Sequence, residues 1–492
     1  MRKFDTKIQY LKYKVLREVA RYGFEDNLDA AYYEIPKLIV KEKPTMRCCI
    51  YKERAIVEER IKLAMGGDKK NPNVIEVIEI ACDECPVSGH VVTESCRGCL
   101  AHRCEDVCRR GAITFDEQQK AHIDKSKCVE CGQCAKVCPY SAIINQKRPC
   151  EKACKIKAIS MSSEEHRAAH IDNEKCISCG ACVYQCPFGA IVDKSFILDA
   201  VNLIKGSHEN QDYKVYAVVA PSISSQFSYA KLGQVITGIQ RLGFYHVIEA
   251  ALGADMVAYK EAAELAEKGF LTSSCCPAFV SYIKKNFPTM VDKISHNLSP
   301  AAEIGRYIKE TTPGAKVVFI GPCAAKKLEA SRRSVRSDVD FVLTFEELRG
   351  MFEAKNIDFS QIPDEQAQYE ASAPGVGFAA SGGVAKAVEK VIEKLEPDRQ
   401  VKTVYAEGLR ECRQMLRMAR TGKYDGYLLE GMACPGGCIA GAGTVQPPEK
   451  SRRLLEQYKA QAPKSNPVES DYTEYLQIIR EDEENWDPVA RH

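Results

Sequence analysis

The chain has 492 residues, more than one hydrophobic core commonly serves, so two or three domains are expected. Its formal net charge is +2, which gives no electrostatic case for nucleic acid or a membrane surface as a partner. Cysteine is the outlier, at 24 residues. Disulfides need an oxidising compartment. The opening Met1-Arg2-Lys3-Phe4-Asp5-Thr6-Lys7 holds no apolar signal region, and no apolar run is long enough to span a bilayer. A cytoplasmic protein whose clustered cysteines hold metal is therefore expected.

In chain order, residues 1–80 hold no dense cysteine cluster. Leu, Val and Ile recur among Lys, Arg and Glu there, which predicts short helices of no assignable role. Cys48-Cys49 reads as a pair of unligated thiols, and Asn71-Pro72-Asn73 as a break. Residues 81–200 form a cluster-binding domain, with 16 of the 24 cysteines between 82 and 186. Residues 200–205 read as a connector, with Gly206-Ser207 following. From 210 to 450 short β-rich runs alternate with helical patterns. Strands are expected at 214–219, 315–320, 340–343 and 424–429, and helices at 231–242 and 346–352. This alternation predicts α/β layers around a mainly parallel sheet. Residues 451–492 form a charged helical tail without cysteine. The fold class is thus a multidomain α+β and α/β protein.

The cysteine spacing in the second segment is specific. Cys128-x2-Cys131-x2-Cys134-x3-Cys138-Pro139 and Cys176-x2-Cys179-x2-Cys182-x3-Cys186-Pro187 are two bacterial ferredoxin runs. Three thiolates of each run wrap one [4Fe–4S] cube, and the fourth commonly ligates the neighbouring cluster. A variant run, Cys96-x2-Cys99-x4-Cys104-x3-Cys108, lies upstream. One cluster would take Cys96, Cys99, Cys104 and Cys138, and another Cys128, Cys131, Cys134 and Cys108. Cys154, from the truncated run Cys150-x3-Cys154, would join Cys176, Cys179 and Cys182. Cys82, Cys85, Cys150 and Cys186 remain, by arithmetic alone enough for a fourth cluster. Cys82 and Cys85 equally suit half of a zinc site. A row of clusters implies electron traffic toward chemistry in the C-terminal half.

Six cysteines lie beyond residue 200. Cys412 reads as an unligated thiol. The other five fall in Thr272-Ser273-Ser274-Cys275-Cys276-Pro277, Gly321-Pro322-Cys323-Ala324-Ala325-Lys326-Lys327 and Glu430-Gly431-Met432-Ala433-Cys434-Pro435-Gly436-Gly437-Cys438. Each motif follows a strand-like or apolar run, and ligands gather beyond the carboxyl ends of parallel strands. One of the vicinal pair Cys275 and Cys276, with Cys323, Cys434 and Cys438, makes four ligands for one more [4Fe–4S] cluster. The remaining thiol of the pair, with an ordinary pKa of about 8.5, is a candidate proton carrier. Lys326 offers a fixed cation.

These three motifs resemble the three H-cluster signatures of the [FeFe]-hydrogenases, and the resemblance covers about residues 82–450. It implies a ferredoxin-like polycluster domain followed by an α/β [FeFe]-hydrogenase catalytic domain. It implies reversible reduction of protons to H2 by a cytoplasmic monomer fed by ferredoxin or a similar small carrier, with neither nucleic acid nor membrane as partner. The cofactors implied are an H-cluster, a [4Fe–4S] cube joined to a diiron unit with CO, cyanide and azadithiolate, and three or four accessory [4Fe–4S] clusters. Cys276, Cys323, Cys434 and Cys438 would hold the cube, and Cys438 would bridge to the diiron unit. Cys275 would pass it protons. Lys326 and Ser222 would each contact a cyanide, and Met432 and Phe378 would pack around the diiron unit.

The family's proton path maps onto Glu264, Ser295, Glu261, a water and Cys275. The bland reading of Glu261 and Glu264 is a solvated acidic helix face, with Lys268 pairing Glu264 at i+4. Departures from the common family pattern at Gly321, Ala278-Phe279, Ala301, Ala442 and Thr444-Val445 resemble the less-studied monomeric branch called group B. Three other functions are weighed: a hydrogenase-like iron–sulfur assembly or scaffold protein without a diiron unit, an H2 sensor, and a plain polyferredoxin. Lys326 and Met432, which scaffold relatives lose, are present. No signalling domain is visible after 450. A polyferredoxin leaves the motifs beyond 270 without purpose.

Overall fold

The computed structural model describes residues 4, 6–161, 168–363 and 370–470, so the expected tail beyond 470 lies outside the described residues. Two parallel sheets carry the C-terminal half. The first has the strands His246–Glu249, Val215–Val219, Lys316–Gly321 and Phe341–Thr344 in that spatial order. Val215–Val219 is buried at all five positions, as a strand covered on both faces must be. The second sheet orders Leu271–Thr272, Tyr427–Met432 and Lys402–Glu407, again parallel. The three cysteine motifs start at the carboxyl ends of Leu271–Thr272, Lys316–Gly321 and Tyr427–Met432. Strand direction alone therefore brings distant sequence positions to one place.

The cysteine-rich segment is built on short antiparallel pairs. Ile113–Phe115 pairs with Ala121–Ile123, Ile159–Met161 with Ala169–Ile171, and Gly89–Val92 with Ile143–Gln146. Ile75–Val77, from the N-terminal stretch, pairs with Ile191–Asp193.

Two expectations need correction. Residues 200–205 are not a connector but lie within the helix Ile197–Gly206. Its buried residues Ile197, Ala200, Val201 and Ile204 follow the spacing of one helical face. The N-terminal helices do not stand apart either. The helix Lys7–Phe24 packs on Phe345–Ala354 and on Ile197–Gly206. Its Leu11, Val15, Leu16 and Val19 share one core with Val215, Ala217 and Val218 of the first sheet, and with Leu348 and Phe352. The helices Lys7–Phe24 and Phe345–Ala354 approach closely: a Cβ on Gly350 would lie 3.2 Å from the backbone nitrogen of Arg17.

A buried ion network locks these segments together. Lys327 Nζ lies 2.7 Å from Asp193 Oδ2 and 3.0 Å from Glu347 Oε2, and donates to the Lys194 carbonyl at 2.7 Å. Lys12 Nζ reaches Asp193 Oδ1 at 2.7 Å and Glu346 Oε2 at 2.5 Å. Burial alone would raise the Asp193 carboxyl, but Lys12 and Lys327 hold it well below its ordinary value. Removing one partner of such a buried network leaves unmatched charge. Lys327→Met should therefore cost about 3–5 kcal/mol, measured as a lowered denaturation midpoint; an unchanged midpoint would show that the network adds no stability.

Candidate functional site

The three motifs wall a cavity lined by Cys275, Cys276, Cys323, Cys434 and Cys438. Lys326, Phe378, Met432 and Ala301 complete much of the wall. Ser222 follows the lining residue Pro221; it is buried, and its hydroxyl has no partner.

Local structure explains how each thiol is held. Cys276 is the N-cap of the helix Pro277–Asn286, and Cys323 that of Ala324–Ala330. Backbone amides of Ala278, Phe279 and Ala433 favour the Cys276 thiolate, and those of Ala325 and Lys326 favour Cys323. Gly436 and Gly437 between Cys434 and Cys438 have φ of 91° and 87°. A Cβ on Gly437 would lie 2.7 Å from the Ser381 backbone nitrogen, so no side chain fits there.

Burial dominates the electrostatics. It pushes the Cys323 thiol up to about 11 and Cys438 to about 12, and raises Cys276 and Cys434 as well. Four mutually close thiols lining one cavity, half-buried by surface exposure, need a metal's positive charge to ionise together. The cradle thus fits the chemistry of a cluster. Among the described residues no three His, Cys, Asp or Glu side chains come close enough to hold a single ion.

Cys275 is buried, and burial followed by the nearby Glu261 carboxylate raises its thiol well above the ordinary value. The expectation of a thiol near working pH is corrected accordingly: Cys275 rests protonated. Beside it Glu261 is fully buried and accepts from the Ser274 amide at 3.2 Å. Burial raises Glu261 to about 7, and Glu264 adds to the rise. The Ser295 hydroxyl lowers it, although Glu261 Oε2 makes no formed hydrogen bond. Ser295 Oγ donates to Glu264 Oε2 at 2.9 Å. Glu264 is partly exposed and pairs with Lys268 at 2.6 Å, so the relay and the i+4 ion pair coexist. Asn297 Nδ2 also donates to Glu264, at 2.8 Å, a contact without a sequence signal.

Lys326 is paired with Glu329 at 2.6 Å, and Ser299 steadies that carboxylate at 3.1 Å. Glu430, quoted in the third motif but given no role, is fully buried. It accepts from the Gly382 and Ala385 amides at 2.8 and 2.9 Å, and burial raises it to about 7. Cys412 is buried behind the site and donates to the Met432 carbonyl. Cys49 instead caps the helix Ile50–Ala64.

The accessory cysteines gather in the sets their spacing suggests. Cys96, Cys99, Cys104 and Cys138 line one cavity, and Cys108, Cys128, Cys131 and Cys134 another. Cys154, Cys176, Cys179 and Cys182 act on one another electrostatically. Cys179 also acts on Cys434, which puts this set beside the cavity of the three late motifs. Cys82, Cys85, Cys150 and Cys186 form a further buried group.

Comparison with known proteins agrees with this arrangement. Residues 213–442 match the iron only hydrogenase large subunit, C-terminal domain. Residues 95–142 match a 4Fe-4S dicluster domain, and residues 169–192 a 4Fe-4S binding domain. Residues 213–442 are thus a domain of the iron-only hydrogenase family, preceded by 4Fe-4S domains, and the chain is an iron–sulfur protein. It is 28% identical over 390 residues to the periplasmic [Fe] hydrogenase large subunit of Nitratidesulfovibrio vulgaris, covering 67% of this chain and 87% of that one. It is 28% identical over 423 residues to the NADP-reducing hydrogenase subunit HndD of Solidesulfovibrio fructosivorans, covering 73% of this chain but only 65% of that longer one. A probable cytosolic Fe-S cluster assembly factor of Drosophila virilis is 29% identical over 276 residues, covering 44% of this chain and 56% of that one. Among the described residues no helix is long and apolar enough to cross a membrane.

The raised Glu261 carboxyl makes stability depend on pH. Between its ordinary 4.5 and about 7 the native protein keeps a proton that the unfolded chain releases, so stability falls as pH rises through that window. Glu261→Gln should remove this contribution, up to about 3 kcal/mol, seen as a flatter dependence of the denaturation midpoint on pH. An unaltered dependence would show that Glu261 is already ionised at acidic pH.

Proposed function

We propose that the protein is an [FeFe]-hydrogenase that interconverts protons, electrons and H2. The observation that carries this reading is a fifth, buried thiol, Cys275, in a cavity with four ligand-type cysteines, backed by the buried Glu261 carboxyl. Cys276, Cys323, Cys434 and Cys438 would hold the H-cluster, with Lys326, Ser222, Phe378 and Met432 around its diiron unit. When bound, that unit supplies the iron chemistry that joins protons and electrons as H2.

The chain's own residues supply charge. A proton from solvent reaches Glu264, crosses the Ser295 hydroxyl to Glu261, and passes by way of a water to the Cys275 sulfur. Glu261, raised to about 7, can both accept and release it near neutral pH. Cys275 rests protonated and so presents a proton rather than a thiolate that would compete for iron. The wall around Ala301, Phe378 and Met432 is apolar and offers bulk water few partners there. The accessory cysteine sets would hold clusters that supply electrons, and the set of Cys179 is the one beside the cavity. A ferredoxin-type carrier, a monomeric state and a cytoplasmic location belong to the same proposal, as does membership of the group B branch.

The assembly-factor relative favours a second reading, a cluster-bearing scaffold without the diiron unit. Infrared spectroscopy of protein matured with that unit separates the two. CO and cyanide stretching bands are expected, and their absence would favour the scaffold. Cys275→Ala should lower turnover by about 100-fold or more while iron content stays the same. Full turnover in that variant would remove Cys275 from the proton path.

A further inference from the structure

We propose that Cys82, Cys85, Cys150 and Cys186 ligate a fourth accessory [4Fe–4S] cluster, and that the buried guanidinium groups of Arg148 and Arg60 provide its fixed counter-charge. Cys82, Cys85 and Cys150 lie outside both matched ferredoxin segments. The inference extends the electron path of the proposed function.

The first argument is an internal repeat of geometry. Cys108, Cys138, Cys154 and Cys186 each accept the amide of the alanine four residues on, at 3.3, 3.4, 3.2 and 3.2 Å. The residue three positions after each is left-handed: Gly111, Ser141, Lys157 and Gly189, with φ of 58°, 49°, 56° and 59°. Cys154 and Cys186 therefore repeat the roles of Cys108 and Cys138. Cys150 then stands where Cys104 does, four residues before its partner. Cys104 shares its cavity with Cys96, Cys99 and Cys138. The matching site needs Cys150, Cys186 and one more Cys-x2-Cys pair. Positions 142 and 145, where the local run would supply that pair, are Ala142 and Asn145. Cys82-x2-Cys85 enters from upstream instead, with Cys82 accepting the Ala169 amide at 3.3 Å. All four thiols are buried, and each of Cys82, Cys85 and Cys150 feels the charge of Cys186.

Two buried arginines lie against the same cysteines. Arg148 is 1% exposed, and its Nη1 and Nη2 have no hydrogen-bond partner. Only its Nε is engaged, by the Pro86 carbonyl at 3.0 Å. Its charge acts on Cys82 and Cys85. Arg60 is 4% exposed and donates through Nη2 to the Gly189 carbonyl at 2.5 Å, while its Nε is unpartnered. The thiol charge it meets is that of Cys186. Of the nearby acids, Asp83 is paired with Lys52 and Arg47, while Glu151 accepts from the Ser88 hydroxyl and makes no contact with either arginine. Two buried cations facing four neutral thiols would be costly. A [4Fe–4S] cube with four thiolates, of net charge about −2 or −3, answers both. The cations favour the reduced form and so raise its potential.

This assigns work to the N-terminal region. Arg60 belongs to the helix Ile50–Ala64, whose Ile56 and Leu63 pack in the same apolar cluster as Cys82, Cys150 and Cys186. Cys182 and Ala324 share that cluster, so the site adjoins the inner set of cysteines. The pairing of Gly89–Val92 with Ile143–Gln146 ties it to the outer pair of sets.

The test is metal and sulfide analysis of the full chain, reconstituted anaerobically before any diiron unit is supplied. Wild type should hold about 20 irons, as five cubes, rather than about 16. Cys82→Ser with Cys85→Ser should lose about four irons and four sulfides and keep the reduced-cluster spectra of the rest. Arg148→Gln should keep all the iron and lower the potential of one cluster. A wild-type count of about 16 irons, an unchanged count in the double variant, or a zinc that the double variant releases would each overturn the site. Unchanged potentials in Arg148→Gln would overturn the counter-charge. Because the wild-type count needs no variant, misfolding of the double variant does not blunt the test. Failure here would leave hydrogen turnover untouched, and an inactive protein with full iron would leave this site standing.

Discussion

Lys327 is the constraint on which the rest of the structure depends. Its ammonium is wholly buried and meets Asp193 from the end of the cysteine-rich segment and Glu347 from the helix Phe345–Ala354. Lys12 ties the first helix to the same Asp193. Three stretches far apart in sequence thus share one charge balance. Lys327 is also the residue after Lys326 and four after Cys323, in the helix capped by that cysteine. The position of one cavity wall is therefore set by a contact made outside the cavity.

Inside the cavity the same physics serves another end. A low-dielectric surrounding disfavours every charged form. It keeps Cys275 protonated and brings Glu261 to about 7. It also makes the four ligand-type thiols reluctant to ionise without metal. Glu249, Asp255 and Glu430, like Glu261, are raised to about 7 by burial, so the domain carries several carboxyls poised near neutrality. Of these four, Glu261 is the one that meets a chain of hydroxyl and carboxylate groups leading outward.

Much of the site is legible in the sequence, because cluster ligands are spaced by local backbone geometry. The Cys128–Cys138 and Cys176–Cys186 runs and the three late motifs state their chemistry directly, and the strands before Cys275, Cys323 and Cys434 explain their convergence. Other parts rest on tertiary packing and leave weaker traces. The face of Ile197, Ala200, Val201 and Ile204 is readable by periodicity, yet the segment's shortness suggests a linker. Arg60 and Arg148 look like ordinary surface cations, since nothing local announces that they are buried. The rise of the Cys275 thiol likewise depends on a surrounding that spacing cannot reveal.

The docking of the first helix also sets an order of events during synthesis. Lys12 is made early, but its partners Asp193 and Glu346 follow 181 and 334 residues later. Domains tend to fold as units in the order they are made. The helix Lys7–Phe24 can pack early on Leu28–Ile39 and Ile50–Ala64, but its contact with Phe345–Ala354 forms only once that helix has been made. The cysteine-rich segment is complete well before that, so all of its ligand-type cysteines are in place before this last contact can form. Closure of that contact, with its Lys12–Glu346 ion pair, is then a late step that joins the first helix to the C-terminal half.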